Sequence, residues 1–453
     1  MTTATEWKRF NFKTADDFKA ELHRRTPGIP WSDDMSALHK EVKIGAKTAP
    51  NSLAIHPMEG ADGTADGSPD ELTYRRYRRF AAGGAGLLWY EATAVVHEGR
   101  ANPRQLYIHR DNIDSYHKLL DDSLAHGREA GNKRPYTVLQ LTHSGRQSNP
   151  GGDGGPIIAQ VSDLLDRKPG RVITDDELER VRDQYAAAAV LAADVGFDAV
   201  DIKSCHGYLI GELLTARNRP GKYGGSWENR TRFLMEVIDA VKAAVGDRID
   251  LASRFMAWDS IPWPWGWGVN EQEYRVPDFT EPVALAKMLR DRGVKILDVS
   301  CGNPYFNPHV NRPFDMGFYT PPTNQFVGAE FLLTAGKTIQ AAVPEVIVIG
   351  TGFGWYRQFG ANIAAGVVRD GWFRMAGFGR QAFAYPDFAR DILEKGALEP
   401  NKCCVACGNC TQIMRDGGRS GCMVRDREVY LPIFKQGREG KPAVDMSKVT
   451  EHL

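Results

Sequence analysis

The sequence predicts a closed (β/α)8 TIM barrel followed by a small C-terminal cysteine-rich segment. Short β-rich runs alternate with longer amphipathic stretches from about residue 50 to about residue 390 of the 453-residue chain. Beyond that point the alternation stops, and five of the seven cysteines fall between Cys403 and Cys422. We therefore divide the chain into an N-terminal lead-in over 1–50, a barrel over 51–395 and a cysteine-containing appendage over 396–453.

Eight short runs have the β-branched and aromatic composition of buried strands. They are Ser52–His56, Gly86–Tyr90, Tyr136–Leu141, Ala199–Lys203, Asp250–Arg254, Ile296–Ser300, Val346–Ile349 and Phe373–Ala376. Helical spacing marks the connections, for example Asp175–Val195, Asn229–Val245, Pro282–Arg292 and Phe331–Ala342. Eight strand–helix units predict a parallel barrel, with an open doubly wound sheet as the alternative. We expect the lead-in to cap the bottom of this barrel or to pack on it.

The composition excludes several classes of protein. Basic and acidic residues are equal at 57 each, which argues against a nucleic-acid-binding or basic membrane-binding surface. No apolar run reaches the roughly 18 residues that a membrane-spanning helix needs. The N-terminus is polar and lacks the apolar stretch of a signal peptide, so we expect a cytoplasmic protein. Barrels of this size are often symmetric assemblies, and we expect a homo-oligomer.

The carboxyl ends of barrel strands meet at one mouth, where the residues of a functional site gather. At these ends lie polar or special residues that we expect to ring one pocket: Glu59, Glu91, Gln140, Lys203, His206, Arg254, Ser300, Gly350 and Gly352. Ion pairs that only stabilise the barrel mouth are the structural alternative.

Two glycine-rich turns follow the seventh and eighth candidate strands. Their sequences are Gly350-Thr-Gly352-Phe-Gly354 and Gly377-Phe-Gly379-Arg380. Glycine lets backbone N–H groups approach an anion closely, and barrel enzymes often hold a phosphate at these two loops. The two turns together predict a phosphate site, with simple turn glycines as the alternative.

The loop after the fifth candidate strand contains four tryptophans, Trp258, Trp263, Trp265 and Trp267. Their rings suit a pocket for a flat or hydrophobic substrate. A hydrophobic cluster that packs the loop down and a subunit interface are the alternatives.

Cys404, Cys407 and Cys410 are each separated by two residues, and Cys422 follows after eleven more. Three thiolates on one turn can face one centre, and a fourth from a later loop can complete it. The spacing favours an iron–sulfur cluster over a zinc site of four cysteines, because zinc knuckles usually pair two separated Cys-x-x-Cys motifs. Unrelated cysteines are the other alternative. Cys403 is one residue off the regular spacing, so we prefer Cys404 as the first ligand.

Several stretches between about residue 50 and residue 390 resemble the Old Yellow Enzyme family of FMN-dependent ene-reductases. They are His56-Pro-Met-Glu59-Gly, Glu91-Ala-Thr-Ala-Val, Gln140-Leu-Thr-His-Ser-Gly-Arg146, His206-Gly-Tyr208-Leu, Tyr223-Gly-Gly-Ser-Trp-Glu-Asn-Arg230, Ser253-Arg254-Phe and Gly379-Arg380. The stretch from Tyr223 to Arg230 is the most specific of these. The resemblance implies a barrel that binds FMN at its mouth.

The resemblance also implies the parts that bind the flavin. Pro57, Met58, Glu59 and Ala92 would pack near its ring system, and Gln140 would hydrogen-bond its pyrimidine edge. Arg254 would stabilise the anionic reduced flavin. The phosphate would be bound by Gly352, Gly379 and Arg380.

The substrate-binding residues depart from the family pattern. Relatives commonly carry His-x-x-His or His-x-x-Asn after the fourth strand, whereas this chain has Lys203-Ser-Cys205-His206. Lys203 and His206 would hold the substrate carbonyl, although Lys203 could instead pair with a carboxylate and leave His206 as the main donor. Tyr208 matches the proton-donating tyrosine of many relatives, with a pocket-wall residue as the alternative.

The barrel followed by the cysteine run resembles the branch that contains 2,4-dienoyl-CoA reductase and trimethylamine dehydrogenase. This resemblance implies a [4Fe–4S] cluster held by Cys404, Cys407, Cys410 and Cys422. No Gly-x-Gly-x-x-Gly follows the cysteines, so we expect no nucleotide-binding module after them. Electrons would come from NAD(P)H directly or from a redox partner protein, or would leave through the cluster.

Three functions follow from these features. The first is an ene-reductase that reduces an activated C=C bond, with Tyr208 as proton donor. The second is a flavin dehydrogenase that oxidises an amine or another reduced substrate and exports electrons through the cluster. The third is an electron-transfer subunit of a larger complex. The substrate would be a small molecule, of hydrophobic or aromatic character if the tryptophans line its pocket.

Overall fold

A computed structural model describes residues 7–151, 155–166, 168–317 and 319–441 of the chain. Eight parallel strands form a closed barrel in chain order, with the last strand paired to the first. The strands are β1 (Leu53–Ile55), β2 (Leu87–Ala94), β3 (Tyr136–Thr142), β4 (Ala199–Ile202), β5 (Asp250–Trp258), β6 (Val294–Cys301), β7 (Ile347–Gly350) and β8 (Met375–Phe378). The barrel prediction is confirmed, and the open doubly wound alternative is wrong.

Helices surround the barrel and fill its loops. Their bounds are α1 (Ala15–Arg25), α2 (Glu71–Ala82), α3 (Ile113–Glu129), α4 (Asp175–Val195), α5 (Leu209–Leu214), α6 (Trp227–Val245), α7 (Thr280–Asp291), α8 (Pro308–Asn311), α9 (Gln325–Ala342), α10 (Gly360–Arg369), α11 (Arg380–Ala384), α12 (Phe388–Lys395), α13 (Asn409–Arg415) and α14 (Arg427–Arg438). Short 3-10 turns lie at Ser36–His39, His97–Gly99, Arg110–Asn112, Gly145–Gln147 and Phe353–Phe359.

Helix α4 shows how local sequence sets the bounds of an element. Thr174 and Glu177 form a reciprocal capping box at its start, which satisfies backbone N–H groups that the helix leaves unpaired. Gly196 follows its end with φ +101°, a left-handed conformation that glycine adopts without a Cβ clash. These two signals explain why the predicted helix over 175–195 has the observed bounds.

The lead-in closes the bottom of the barrel. Strands Val42–Ile44 and Lys47–Ala49 pair as an antiparallel hairpin. Val42, Ile44 and Ala49 are buried in one apolar cluster with inward-facing residues near the strand starts, such as Leu87 and Tyr136. Helix α1 packs on the side of the barrel, where the Phe18 ring lies 4.6 Å from that of Phe359.

The C-terminal segment is anchored on the mouth of the barrel. Asp426 accepts hydrogen bonds from Arg75, at 2.7 Å, and from Arg79, and both arginines belong to α2. The backbone N–H of Ser420 donates to the Gly60 carbonyl just after β1, at 2.6 Å. These contacts position the cysteine-bearing loop over the strand ends. Within the described ranges, no helix is both long and apolar enough to traverse a bilayer.

Candidate active site

A cavity of about 1370 Å³, open to solvent, lies at the carboxyl ends of the strands. Every residue that the sequence predicted for catalysis or cofactor binding lines it: Pro57, Met58, Glu59, Ala92, Gln140, Lys203, His206, Tyr208, Arg254, Gly352, Gly379 and Arg380. Cys404 and Cys410 line the same cavity. We name it the flavin cavity. Closure of the barrel is what brings residues more than 300 positions apart to one wall.

Arg254 projects from β5 into the flavin cavity and is held by neighbours on either side. Its Nη1 donates to the Pro57 carbonyl at 3.0 Å, and its Nε lies 3.4 Å from Asp298 on β6. His56 lies on the other side of Asp298, with its Nδ1 3.0 Å from the carboxylate. Burial would raise the pKa of Asp298, but His56 and Arg254 outweigh it and lower that pKa below its ordinary value. The carboxylate therefore stays ionised and fixes both partners.

Gln140 is oriented by a second buried carboxylate. Asp201 accepts from Gln140 Nε2 at 2.5 Å, from Trp89 Nε1 at 3.0 Å and from the Arg254 backbone N–H at 2.6 Å. Because the amide nitrogen of Gln140 is thus engaged, its carbonyl oxygen is the group left to accept a hydrogen bond. The imide N–H of a flavin pyrimidine ring is a donor of the matching kind.

The opposite end of the flavin cavity suits a phosphate. Gly352 has φ +117°, and a Cβ at Gly354 would meet no heavy atom within 4 Å. Arg380 donates through Nη2 to the Pro313 carbonyl at 3.2 Å, while its buried Nη1 has no hydrogen-bond partner among the described residues. A buried guanidinium nitrogen without a partner is costly, and a phosphate oxygen would satisfy it. The donors along this cavity therefore fit FMN.

Lys203 and Tyr208 are in direct contact. The Lys203 Nζ lies 3.4 Å from the centre of the Tyr208 ring, a close cation–π contact. Burial lowers the pKa of Lys203 to about 8, although Cys205 and Glu59 nearby act to raise it. Burial also raises the pKa of Tyr208 well above its ordinary value, so its hydroxyl is protonated at neutral pH. That hydroxyl lies 3.1 Å from the Tyr305 hydroxyl.

His206 has a left-handed backbone with φ +62°, which turns its side chain toward β6. Its Nε2 lies 2.9 Å from Ser300 Oγ and 3.1 Å from Asn311 Nδ2. Burial and the nearby cations lower its pKa well below the ordinary value, so the ring is neutral. Because Nε2 is already engaged, Lys203 is the less restricted donor of the two.

Two residues expected in the polar ring lie elsewhere. Glu91 is buried outside the cavity, where it accepts from Arg76 and from the Gly60 backbone N–H. It turns away because side chains alternate along β2, so its carboxylate faces α2 rather than the barrel interior. Gly350 packs against Phe373, whose ring would lie 2.3 Å from a Cβ at that position. Both expectations were wrong.

The cysteine loop lies against the flavin cavity. The Cys404 N–H donates to Gln381 Oε1 at 2.9 Å. The Ala406 N–H donates to the Cys404 sulfur at 3.4 Å, and the Arg425 N–H donates to the Cys422 sulfur at the same distance. Burial raises the pKa of Cys407 to about 11, and neighbouring Cys404 and Cys410 act in the same direction. Burial raises the pKa of Cys422 as well, and Cys404 and Cys410 again act in the same direction, so the four thiols lie near one another.

Cys403 is oriented differently from its neighbour. It is buried, and its Sγ donates to the Glu399 carbonyl at 3.4 Å. Within the described residues, no three His, Cys, Asp or Glu side chains are close enough to hold a single metal ion. In an iron–sulfur cluster each cysteine thiolate binds a different iron atom. The cysteine sulfurs therefore lie farther apart than they would around one zinc ion. The donor set fits such a cluster in chemistry and in backbone N–H···S contacts.

Sequence reasoning missed several residues of the cavity. Asp298 positions Arg254, and Tyr305, Asn311 and Arg312 line the cavity. The last three come from the long loop after β6. No motif in the sequence singles out residues of this loop, although long loops often carry functional side chains.

A parallel barrel that brings Arg254 and the glycine turns after β7 and β8 to one cavity is the arrangement expected of a flavin-binding protein. The chain belongs to the NADH:flavin oxidoreductase / NADH oxidase family, whose model matches residues 37–298. This membership confirms the family resemblance found in the motifs.

Among curated relatives, the NADH oxidase of Thermoanaerobacter brockii is 29% identical over 89% of this chain and 56% of its own length. An NADPH dehydrogenase of Bacillus pumilus is 32% identical over 56% of this chain and 70% of its own length. The chain thus spans little more than half the length of the first of these relatives.

Two solved structures share the fold. A 2-naphthoyl-CoA reductase superposes with a TM-score of 0.70 at 21% identity, over 90% of this chain and 58% of the other. An Old Yellow Enzyme homologue from Zymomonas mobilis superposes with a TM-score of 0.61 at 25% identity, over 80% of this chain and 94% of the other.

We expect Arg380→Gln to weaken FMN binding about 10- to 100-fold, because it removes a charge-assisted contact to the phosphate. Riboflavin lacks the phosphate, so its affinity should change less than twofold. Fluorescence titration of the deflavinated protein measures both affinities. Arg374→Gln, at an exposed arginine on the loop before β8, is the matched control. An equal loss for FMN and riboflavin would contradict the phosphate role.

Lys203 should confer a pH dependence on anion binding in the flavin cavity. Its charge is present below pH 8 and is lost as the pH rises through about 8. Benzoate binding to the FMN-loaded protein should therefore weaken above pH 8, by up to about tenfold per pH unit. Calorimetry between pH 6.5 and 9.5 measures this step. Lys203→Met should weaken binding at pH 7 and abolish the step, whereas the surface variant Lys337→Met should retain it. A step that persists in Lys203→Met would refute the assignment.

Proposed function

We propose that this protein is an FMN-dependent reductase of electron-poor C=C bonds that takes its electrons from NAD(P)H and carries a [4Fe–4S] cluster beside the flavin. One observation carries the proposal. Lys203, Tyr208 and Arg254 line the same cavity as Cys404 and Cys410. The names of the two curated relatives support a nicotinamide reductant.

The side chains at the β4 end perform complementary tasks. FMN, when bound, supplies the hydride that adds to the β-carbon of the alkene. Lys203 donates to the carbonyl oxygen, where negative charge develops. Tyr208 gives its proton to the α-carbon. The Lys203 ammonium, 3.4 Å from the Tyr208 ring centre, stabilises the phenolate left behind, and the Tyr305 hydroxyl, 3.1 Å away, can relay a replacement proton from solvent.

The charge of the cavity favours reduction over amine oxidation. The described residues that line it include five cations, Lys203, Arg254, Arg312, Arg380 and Arg415, and one carboxylate, Glu59. Burial raises the pKa of Glu59, which further reduces its negative charge. A cationic amine would be repelled here, whereas an enolate-like oxygen would be stabilised. The retained Tyr208 and His206 also argue against a pure electron relay, which needs no proton donor.

The cysteine loop supports the cluster through its placement. Cys404 and Cys410 reach the cavity wall, so a cluster held by Cys404, Cys407, Cys410 and Cys422 would adjoin the flavin. Arg312 and Arg380 lie in the same wall and would compensate the negative charge of the cluster and of the FMN phosphate. Cys403, which faces Glu399, has no part in this assignment.

Replacement of Tyr208 tests the reductase assignment. We expect Tyr208→Phe to lower kcat/KM for 2-butenal at least about a hundredfold, since it removes the proton donor. The rate at which NADPH reduces the bound flavin should change less than twofold. Anaerobic stopped-flow and steady-state assays separate the two steps, with Tyr274→Phe as the control. If the wild-type protein reduces no activated alkene, the proposed function is wrong.

Metal analysis tests the cluster. Anaerobically purified protein should contain one FMN with about four iron and four acid-labile sulfide per chain. We expect Cys404→Ser to lose most of the iron, and the adjacent Cys403→Ser to retain it. Zinc in place of iron, or equal iron loss in both variants, would contradict the ligand assignment.

A further inference from the structure

A second cavity of about 1000 Å³ borders the flavin cavity. Its apolar wall is formed by Leu214, Met256, Ile261, Trp265, Trp267 and Phe306. We name it the side chamber. His206 and Tyr305 line both cavities, so these two side chains form the boundary between them. The loops after β3, β4, β5 and β6 enclose the side chamber.

The aromatic wall of the side chamber is held in place before any ligand binds. Trp267 is 2% exposed, and its indole N–H donates to the Met256 carbonyl at 2.8 Å. Its ring stacks on Trp227 of α6, with the ring centres 6.1 Å apart and the planes 11° apart. A rigid aromatic wall loses little conformational entropy on binding, which favours a flat apolar ligand.

The side chamber offers a ligand no available positive charge from the described residues. Arg146 is the one lysine or arginine among those that line it. Its guanidinium is bound by Glu212, at 2.6 Å, and by Asp166. Asp259 also lines the chamber, and burial raises its pKa to about 7. A carboxylate or phosphate would find no cation here to compensate its charge, whereas a neutral hydrocarbon body needs none.

The boundary residues relate the side chamber to the reacting groups. Tyr305 lies at the boundary, and its hydroxyl is 3.1 Å from that of Tyr208. A molecule whose polar end contacts Lys203 and Tyr208 therefore lies beside the boundary that the two cavities share. The adjoining cavities, one with Lys203 and Tyr208 and the other with an apolar wall, suit a ligand with one reactive end and one bulky apolar end.

We propose that the side chamber binds the neutral, ring-bearing hydrocarbon part of the substrate while the activated carbonyl lies against Lys203 and Tyr208. The protein would then select substrates by the size of an apolar group attached at the β-carbon. The reaction at the carbonyl end rests on the proposed function, but binding in the side chamber does not.

A glycine in the chamber wall provides the test. Gly211 of α5 lines the side chamber, and an added Cβ there would lie no closer than 3.4 Å to another residue. Gly211→Leu should therefore fold while filling the chamber. Gly328 of α9 lines a separate cavity and also has its nearest neighbour 3.4 Å from an added Cβ. Gly328→Leu is the matched control.

Two substrates of different size and one unreactive ligand test whether the side chamber binds an apolar group. In Gly211→Leu we expect kcat/KM for 3-(2-naphthyl)propenal to fall at least tenfold and that for 2-butenal to change less than twofold. Calorimetry with 2-acetylnaphthalene on the FMN-loaded protein should show at least tenfold weaker binding. Gly328→Leu should change neither measurement by more than twofold.

The outcomes distinguish this inference from the proposed function. If both aldehydes lose activity equally, or 2-acetylnaphthalene binding is unchanged in Gly211→Leu, the side chamber does not bind the apolar group. If the wild type reduces neither aldehyde but Gly211→Leu selectively loses 2-acetylnaphthalene, the binding inference stands and the reductase assignment fails.

Discussion

Two buried carboxylates on neighbouring strands organise the mouth of this barrel. Asp201 on β4 and Asp298 on β6 flank Arg254 on β5, and each is fully buried. A buried carboxylate must be satisfied by donors, because leaving it unpaired costs several kcal/mol, on the order of 3–5 when a partner is removed. The donors available are Gln140, Trp89, His56 and Arg254 itself. The need to satisfy two charges therefore fixes the side chains expected to contact the flavin.

The two adjoining cavities differ in charge. The described residues that line the flavin cavity include five cations and one carboxylate, which suits a dianionic cofactor and a reaction that develops negative charge. In the side chamber the single arginine is already compensated by Glu212 and Asp166. The end of a substrate where negative charge develops can thus lie in the flavin cavity, while its apolar end lies in the side chamber. The cysteine loop, tied to Gly60 through Ser420, would add an electron-transfer group to the wall of the flavin cavity.

Much of the fold could be predicted because its signals are local. The capping box and terminal glycine of α4 set its bounds without reference to the rest of the chain. All twelve catalytic and flavin-binding residues that the family resemblance implied line one cavity. The prediction that Glu91 lines the pocket was wrong because successive side chains along a strand point in opposite directions. Asp298 and Arg312 were missed because their partners are distant in sequence.

The sequence by itself determined the alternation of strands and helices, the family, the glycine turns and the cysteine spacing, since each depends on residues near one another in the chain. Only the tertiary structure decided which polar side chains face one another, which of Cys403 and Cys404 turns toward the flavin cavity, and that Trp265 and Trp267 line a chamber beside it. Barrel closure is the physical reason, because it brings separate strand ends together around one cavity. The loops that follow these strands then pack against one another, and this packing sets the position of each loop.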